Sequence, residues 1–391
     1  MDLDEFVRTK KVIVCVGSGG VGKTTMSAAI ALKAAELGLT VCVITVDPAR
    51  RLADAMGVAS LTNVATRVER EGFEAAGLPV PTGQLWALML DAKRTWDDLV
   101  ARYAADEGQA ERILKNRYYQ QISSAVAGSQ EFMAMEKLYE LHASGKYDLL
   151  VLDTPPTRSA LDFLDAPKKM MGFMDEEVLK AFITPGGLGL SLFQKSSAWM
   201  LGVLQSLTGF EVLRDISDFV QSFSGMHAGF RERASRVAAL LRGDDSAFLL
   251  VTSPGTVDEA AYFYRRLVEY RMPVGGFILN RVHRDALGEP GAKEEWDAMR
   301  REPARILAGV DLDVPAHAGL AVRVAENLER YEVLARRDTT QIARLERACP
   351  TARLRRTIPA FDVDVHDLSA LDKINHHLFR SDDSSRETPV V

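Results

Sequence analysis

Hydrophobic positions along the chain fall into short uninterrupted apolar runs, separated by longer stretches where apolar residues recur every three or four positions. The runs mark strands buried on both faces, and the longer period marks amphipathic helices. The pattern predicts strands over Lys11–Val16, Thr40–Val46, Gln84–Leu90, Tyr147–Leu152, Ala247–Thr252 and Val274–Leu279, and a helix over roughly Gly22–Leu37. Such strands alternating with helices predict an α/β fold with a mostly parallel, doubly wound sheet.

Two stretches break this rhythm. Ala92–Ser144 and about Leu161–Arg242 are helical in pattern, without a convincing strand, and predict a helical subdomain inserted into the α/β core. The second is rich in methionine and phenylalanine, among them Met170, Phe173, Met174, Phe193, Met200 and Phe223, and contains a breaker, TPGGLGLS, at Thr184–Ser191. The expected division is an α/β core at 8–91, 145–160 and 243–380, helices at 92–144 and 161–242, and a disordered polar tail at 381–391. No internal repeat is found.

Composition narrows the class. The 391 residues are 47% hydrophobic and 26% charged, with net charge −6, as in a soluble globular protein with a large core. Mild acidity argues against a nucleic-acid partner, which calls for a basic face. The opening MDLDEFVRTKK is unlike a signal peptide, and no apolar run is long enough for a transmembrane helix, so a cytoplasmic location is expected. Of the three cysteines, Cys15 and Cys42 lie inside the apolar runs VIVCV and VCVITV and are expected as small core hydrophobes. With Cys349 they suggest neither a disulfide framework nor a zinc site.

The most specific chemical signal is VGSGGVGKTT at Val16–Thr25. Gly17-x-x-x-x-Gly22-Lys23-Thr24 satisfies the phosphate-binding P-loop pattern between a predicted strand and a predicted helix. The backbone of Gly17, Gly19, Gly20, Val21 and Gly22, with Lys23, Thr24 and Thr25 opening the helix, forms the expected nucleotide cradle. Lys23 is the charged phosphate ligand, and the Thr24 hydroxyl is a ligand for Mg²⁺. Asp153, closing the fourth strand, is placed to hold Mg²⁺ through water. Asp47, closing the second, is either the residue that activates the attacking water or a cap on the following helix. Asn280 ends VGGFILN, where a side-chain amide would read the adenine edge or serve as a turn former.

GGVGKTT, DPARRLADA after the second strand and DTPPT after the fourth occur in the order found in the ArsA/GET family, and the chain resembles that family essentially throughout. The family includes arsenite-pump ATPases and ATPases that deliver tail-anchored membrane proteins. The resemblance implies ATP and Mg²⁺ as ligands, a dimeric ATPase, Asp47 as the catalytic aspartate with Lys23, and Asp153 in a second switch. The closing RTIPAFDVDVHDLSALDKI resembles the family's last strand and loop, which implies that Asn280 and Pro359 hold the base. A hydrophobic polypeptide client, and a membrane receptor for its delivery, are the implied partners.

One position departs from the pattern. The family usually carries a lysine that reaches across the dimer interface where this chain has Ser18. Arg50 or Arg51 could replace its charge, a lysine-bearing paralogue could supply it in a heterodimer instead of a homodimer, or the chain could be a weakly hydrolysing regulatory subunit. A metalloid-transporting role fits less well, because soft thiolates would be needed and neither helical stretch contains a cysteine. A groove built from Met and Phe suits a varied apolar client, although such helices also form ordinary cores. The MinD/ParA-like partitioning ATPases lack this helical insertion, and an iron-protein-like electron donor would need two cluster-ligating cysteines.

Overall fold

A computed structural model describes residues 2–47, 49–116, 119–120, 129–155, 227–283, 294, 297, 301, 314–362 and 364–379. Its centre is an eight-stranded sheet formed by β1 (Val12–Val16), β2 (Thr40–Thr45), β3 (Thr66–Arg67), β4 (Gln84–Met89), β5 (Leu149–Asp153), β6 (Ser246–Thr252), β7 (Val274–Val282) and β8 (Leu354–Pro359). The strand order is β3-β4-β2-β5-β1-β6-β7-β8, and every neighbouring pair is parallel except β3 with β4. The fold is therefore the expected α/β architecture with a mostly parallel sheet covered on both faces.

Alternation along β1 sorts the two faces. Val12, Val14 and Val16 enter one hydrophobic cluster, and Ile13 and Cys15 enter the other. The second cluster receives α1 (Leu3–Thr9), α2 (Lys23–Glu36), α3 (Arg51–Ala55), α4 (Arg70–Ala75) and, near the C-terminus, α11 (Leu368–Leu378). The α2 segment KTTMSAAIALKAAE is mostly small and aliphatic, with nearly all its inward residues fully buried, so it lies close against the sheet. The first cluster receives α5 (Ala92–Tyr103), α6 (Glu107–Lys115), α7 (Ser129–Ala143), α8 (His227–Arg242), α9 (Val257–Glu269) and α10 (Val314–Ala348). Trp96 and Leu99 of α5, Phe132 and Met133 of α7, and Val237 and Leu241 of α8 join the same cluster as Val12 and Leu150.

Several details differ from the pattern-based expectation. Helix α1 was not anticipated, yet Leu3, Phe6 and Val7 are buried at helical spacing. The two-residue edge strand β3 was also not anticipated, since two polar residues carry no periodic signal. Strand β7 runs past Leu279 to Val282, with a register irregularity against β8, so Asn280 lies within the strand's bulged end. Most of the Met/Phe-rich stretch at 161–242, including the breaker at Thr184–Ser191, lies outside the described residues, as does the tail at 381–391.

Candidate functional site

The site is assembled at the C-terminal ends of the central strands. The register places Asp153 directly between Cys15 of β1 and Thr45 of β2. The loop leaving β1 therefore turns over the end of β5, and α2 begins beside the Asp153 carboxylate.

Glycine is required at two points of that loop. A Cβ on Gly17 would collide with the Val251 carbonyl of β6. Gly22 has φ 96° and caps α2, and a Cβ there would strike the Asn280 amide nitrogen. That nitrogen donates to the Val21 carbonyl at 2.9 Å, and the Asn280 side-chain oxygen Oδ1 accepts from Arg281 N at 2.9 Å. Asn280 thus braces the loop, while the adjoining Arg281 adopts φ 59°, in the left-handed region.

Lys23 is buried, and its ammonium donates to the Ser18 carbonyl at 2.8 Å across the loop. Burial lowers its pKa, opposed by the charges of Asp153 and Asp47. The Asp153 Oδ2 atom accepts from Thr24 Oγ1 at 2.7 Å and from Thr45 Oγ1 at 2.9 Å. Its Oδ1 atom is buried without a hydrogen-bond partner. Burial pushes the Asp153 carboxyl up to about 6, against the two threonine hydrogen bonds and the Lys23 charge. A buried carboxylate oxygen lacking a partner, beside a threonine hydroxyl at a helix N-terminus, fits an Mg²⁺ site.

Asp47 borders the same cleft. Its Oδ1 accepts from Ala49 N at 2.9 Å, and its Oδ2 lies 4.0 Å from Arg51 Nη1. Arg51 lines the cleft and its side chain is 71% exposed, which leaves the guanidinium able to move toward an anion. The cleft measures about 750 Å³ and is also lined by Pro359 at the end of β8, by Ala360 and Phe361 beyond it, and by Arg281 and His283 after Asn280. Gly20, Gly22, Lys23, Thr24, Thr25, Asp47, Asn280 and Pro359 therefore share one cavity. Gly19 is an exposed residue of the loop and Val21 is buried beneath it.

Ser18 turns away from this cavity. Its hydroxyl donates to the Glu259 carboxylate on α9. Sequence reasoning missed Glu259, Thr45, and the pairing of His283 with Asp338. Thr45 is legible in retrospect from its place two residues before Asp47 on the neighbouring strand. The partners of Ser18 and His283 lie 241 and 55 residues away and carry no local signal.

Cys15, Cys42 and Cys349 are unpaired and buried. Burial raises the Cys15 and Cys42 thiols to about 12, far from the thiolate that binds soft metals. No helix among the described residues is long and apolar enough to cross a membrane.

Comparison with known proteins agrees with this geometry. ATPase GET3 of Malassezia globosa is 29% identical over 202 residues, covering 52% of this chain and 52% of that protein. A putative arsenical pump-driving ATPase 1 of Aquifex aeolicus is 29% identical over 169 residues, covering 42% and 40%. ATPase GET3 of Podospora anserina is 31% identical over 160 residues, covering 41% and 44%. The aligned region thus spans about half the length, or less, of these curated relatives. The family model described as anion-transporting ATPase matches residues 10–302, which take in the P-loop, Asp47, Asp153 and Asn280. By that match and by its fold, the chain belongs to the ArsA-type anion-transporting ATPase family.

Proposed function

We propose that the chain is a Mg²⁺-dependent ATPase that works as a dimer in the cytoplasm and couples ATP turnover to the opening and closing of an apolar client site. The supporting observation is the junction of Thr24, Thr45 and the half-satisfied Asp153 beneath a glycine-built loop. Thr24 would hold Mg²⁺ directly and Asp153 through water; when bound, the ion neutralises phosphate charge. The Lys23 ammonium would exchange the Ser18 carbonyl for phosphate oxygens. The Asp47 carboxylate would orient the attacking water and accept its proton on Oδ2, the oxygen not held by Ala49 N. Asn280 and Pro359 would border the base.

Of the two arginines beside Asp47, Arg51 lines the cleft and is the better source of the positive charge absent at Ser18. A partner subunit's lysine is the competing source, in a heterodimer. In this account the α/β core comprises 8–91, 145–160 and 243–380, and the client site belongs to the helices of 92–144 and 161–242. The client is a hydrophobic polypeptide segment, supported by the Met/Phe content of that stretch and by the similarity to GET3 ATPases.

Trapping the purified chain with a slowly hydrolysed ATP analogue tests both halves. The expected outcome is a nucleotide-dependent dimer that retains a synthetic apolar helix. A monomer that ignores both nucleotide and helix would refute the coupling.

A further inference from the structure

The lining of the cleft contains a histidine held in a defined orientation. His283 follows the bulged end of β7 and borders the cleft beside Pro359 and Phe361. Its Nδ1 lies 2.7 Å from Asp338 Oδ2, and the same carboxylate oxygen accepts from His283 backbone N at 2.9 Å. Asp338 sits on α10 with its side chain only 6% exposed, whereas the His283 side chain is 30% exposed. Tyr331, two helical turns earlier on α10, meets the imidazole edge-on, with ring centroids 5.3 Å apart. The ring is therefore held by backbone, carboxylate and aromatic contacts together.

The chemistry of the free edge follows from the fixed one. An ionised carboxylate only accepts hydrogen bonds, so the proton of a neutral imidazole sits on Nδ1. Nε2, on the ring edge away from Asp338, is then an acceptor. Adenine offers a hydrogen-bond donor in its exocyclic amine, whereas hypoxanthine and guanine carry a carbonyl oxygen at the same ring position. An acceptor facing that position attracts the amine and repels the carbonyl. A site built to bond one polar group discriminates strongly against analogues that leave it unpaired.

We propose that His283 selects adenine nucleotides by accepting a hydrogen bond from the exocyclic amine, with Asp338 as the positioning residue that fixes its tautomer. The inference rests on the assignment of this cleft to ATP and deepens it by naming the group that reads the base.

Calorimetric titration of the full chain tests the assignment, using β,γ-imido analogues of ATP, ITP and purine riboside triphosphate with Mg²⁺. The wild type is expected to prefer the adenosine analogue by roughly tenfold over the other two. His283→Phe, which keeps a ring against Tyr331, should bring all three within twofold, by weakening the adenosine analogue and relieving the repulsion of the inosine analogue. His283→Gln, whose amide nitrogen can face Asp338 and leave an oxygen as acceptor, should retain most of the preference. Asp338→Asn removes the fixed tautomer and should narrow the preference without weakening the inosine analogue more than twofold. Equal binding of the three analogues by the wild type overturns the assignment, as does an unchanged preference in His283→Phe. Lys23→Ala should weaken all three alike, because it acts on the phosphates. If the wild type binds none of them, the ATP site itself is refuted and the base assignment falls with it.

Discussion

The Ser18 hydroxyl donates to the carboxylate of Glu259, so this position of the phosphate loop is tied to α9 of its own chain. Ser18 is nearly buried, while the carbonyl of the same residue receives the Lys23 ammonium. The residue therefore joins the phosphate loop to the helix that follows β6, and contributes no charge to the cleft.

A lysine restored at this position would meet Glu259 before it met a neighbouring nucleotide. Ser18→Lys is predicted to change ATP turnover by less than about threefold, whereas Arg51→Ala should lower it at least tenfold, by analogy with lost arginine fingers. Steady-state hydrolysis at concentrations that favour dimers provides the check. A large gain in Ser18→Lys with no loss in Arg51→Ala would show that the missing charge comes from elsewhere.

Asp153 predicts a specific pH dependence of stability without metal. Its folded pKa of about 6 lies above the ordinary 3.8, so the folded state holds the proton longer than the unfolded chain. The contribution is fully present below about 3.8 and is lost as pH rises through about 6. In EDTA, wild type should lose about 3 kcal/mol relative to Asp153→Asn across that window, measured by urea unfolding. Parallel pH profiles for the two proteins would contradict the assignment. Mg²⁺ binding, which needs the ionised carboxylate, should weaken in the opposite direction, as pH falls below about 6.

A buried ion pair links two helices that cover the sheet. Arg233 on α8 pairs with Glu136 on α7 and lies over the Tyr139 ring at 4.5 Å. Burial raises the Glu136 pKa despite the arginine, and Glu136 Oε2 and Arg233 Nη2 lack hydrogen-bond partners. Arg233→Ala should cost about 3–5 kcal/mol, because it strands a buried carboxylate. The joint replacement Glu136→Leu with Arg233→Met should be at least as stable as wild type, since it removes both desolvated charges. Denaturant midpoints with unchanged slopes would measure this; a double variant as unstable as Arg233→Ala would show that the pair contributes net stability.

Much of the architecture is legible in the sequence because the six strands β1, β2, β4, β5, β6 and β7 are apolar runs and the loop motif needs only local context. Asp153 and Asp47 follow from the same logic, each being a carboxylate where an apolar run stops. Elements that were not legible have other physical origins. Helix α1 is a short charged segment whose three apolar residues acquire meaning only against α2 and the sheet. Strand β3 exists because β4 offers it an edge. Asn280 stands out in the sequence as the polar residue that ends an apolar run, but its contact with Val21 depends on β7 approaching the P-loop, which no local pattern encodes. His283 and Asp338 meet only because α10 folds back along β7.

In the proposed reaction Asp47 acts on the attacking water while Lys23 and the glycine loop bind the phosphates. Asp47→Asn separates these roles, since the amide preserves shape and the Ala49 N contact but cannot accept the proton. Single-turnover hydrolysis of ATP with Mg²⁺, run beside equilibrium binding, is the most direct measurement. The predicted result is affinity within about threefold of wild type and hydrolysis at least about a hundredfold slower. Equal hydrolysis rates in wild type and Asp47→Asn would contradict it.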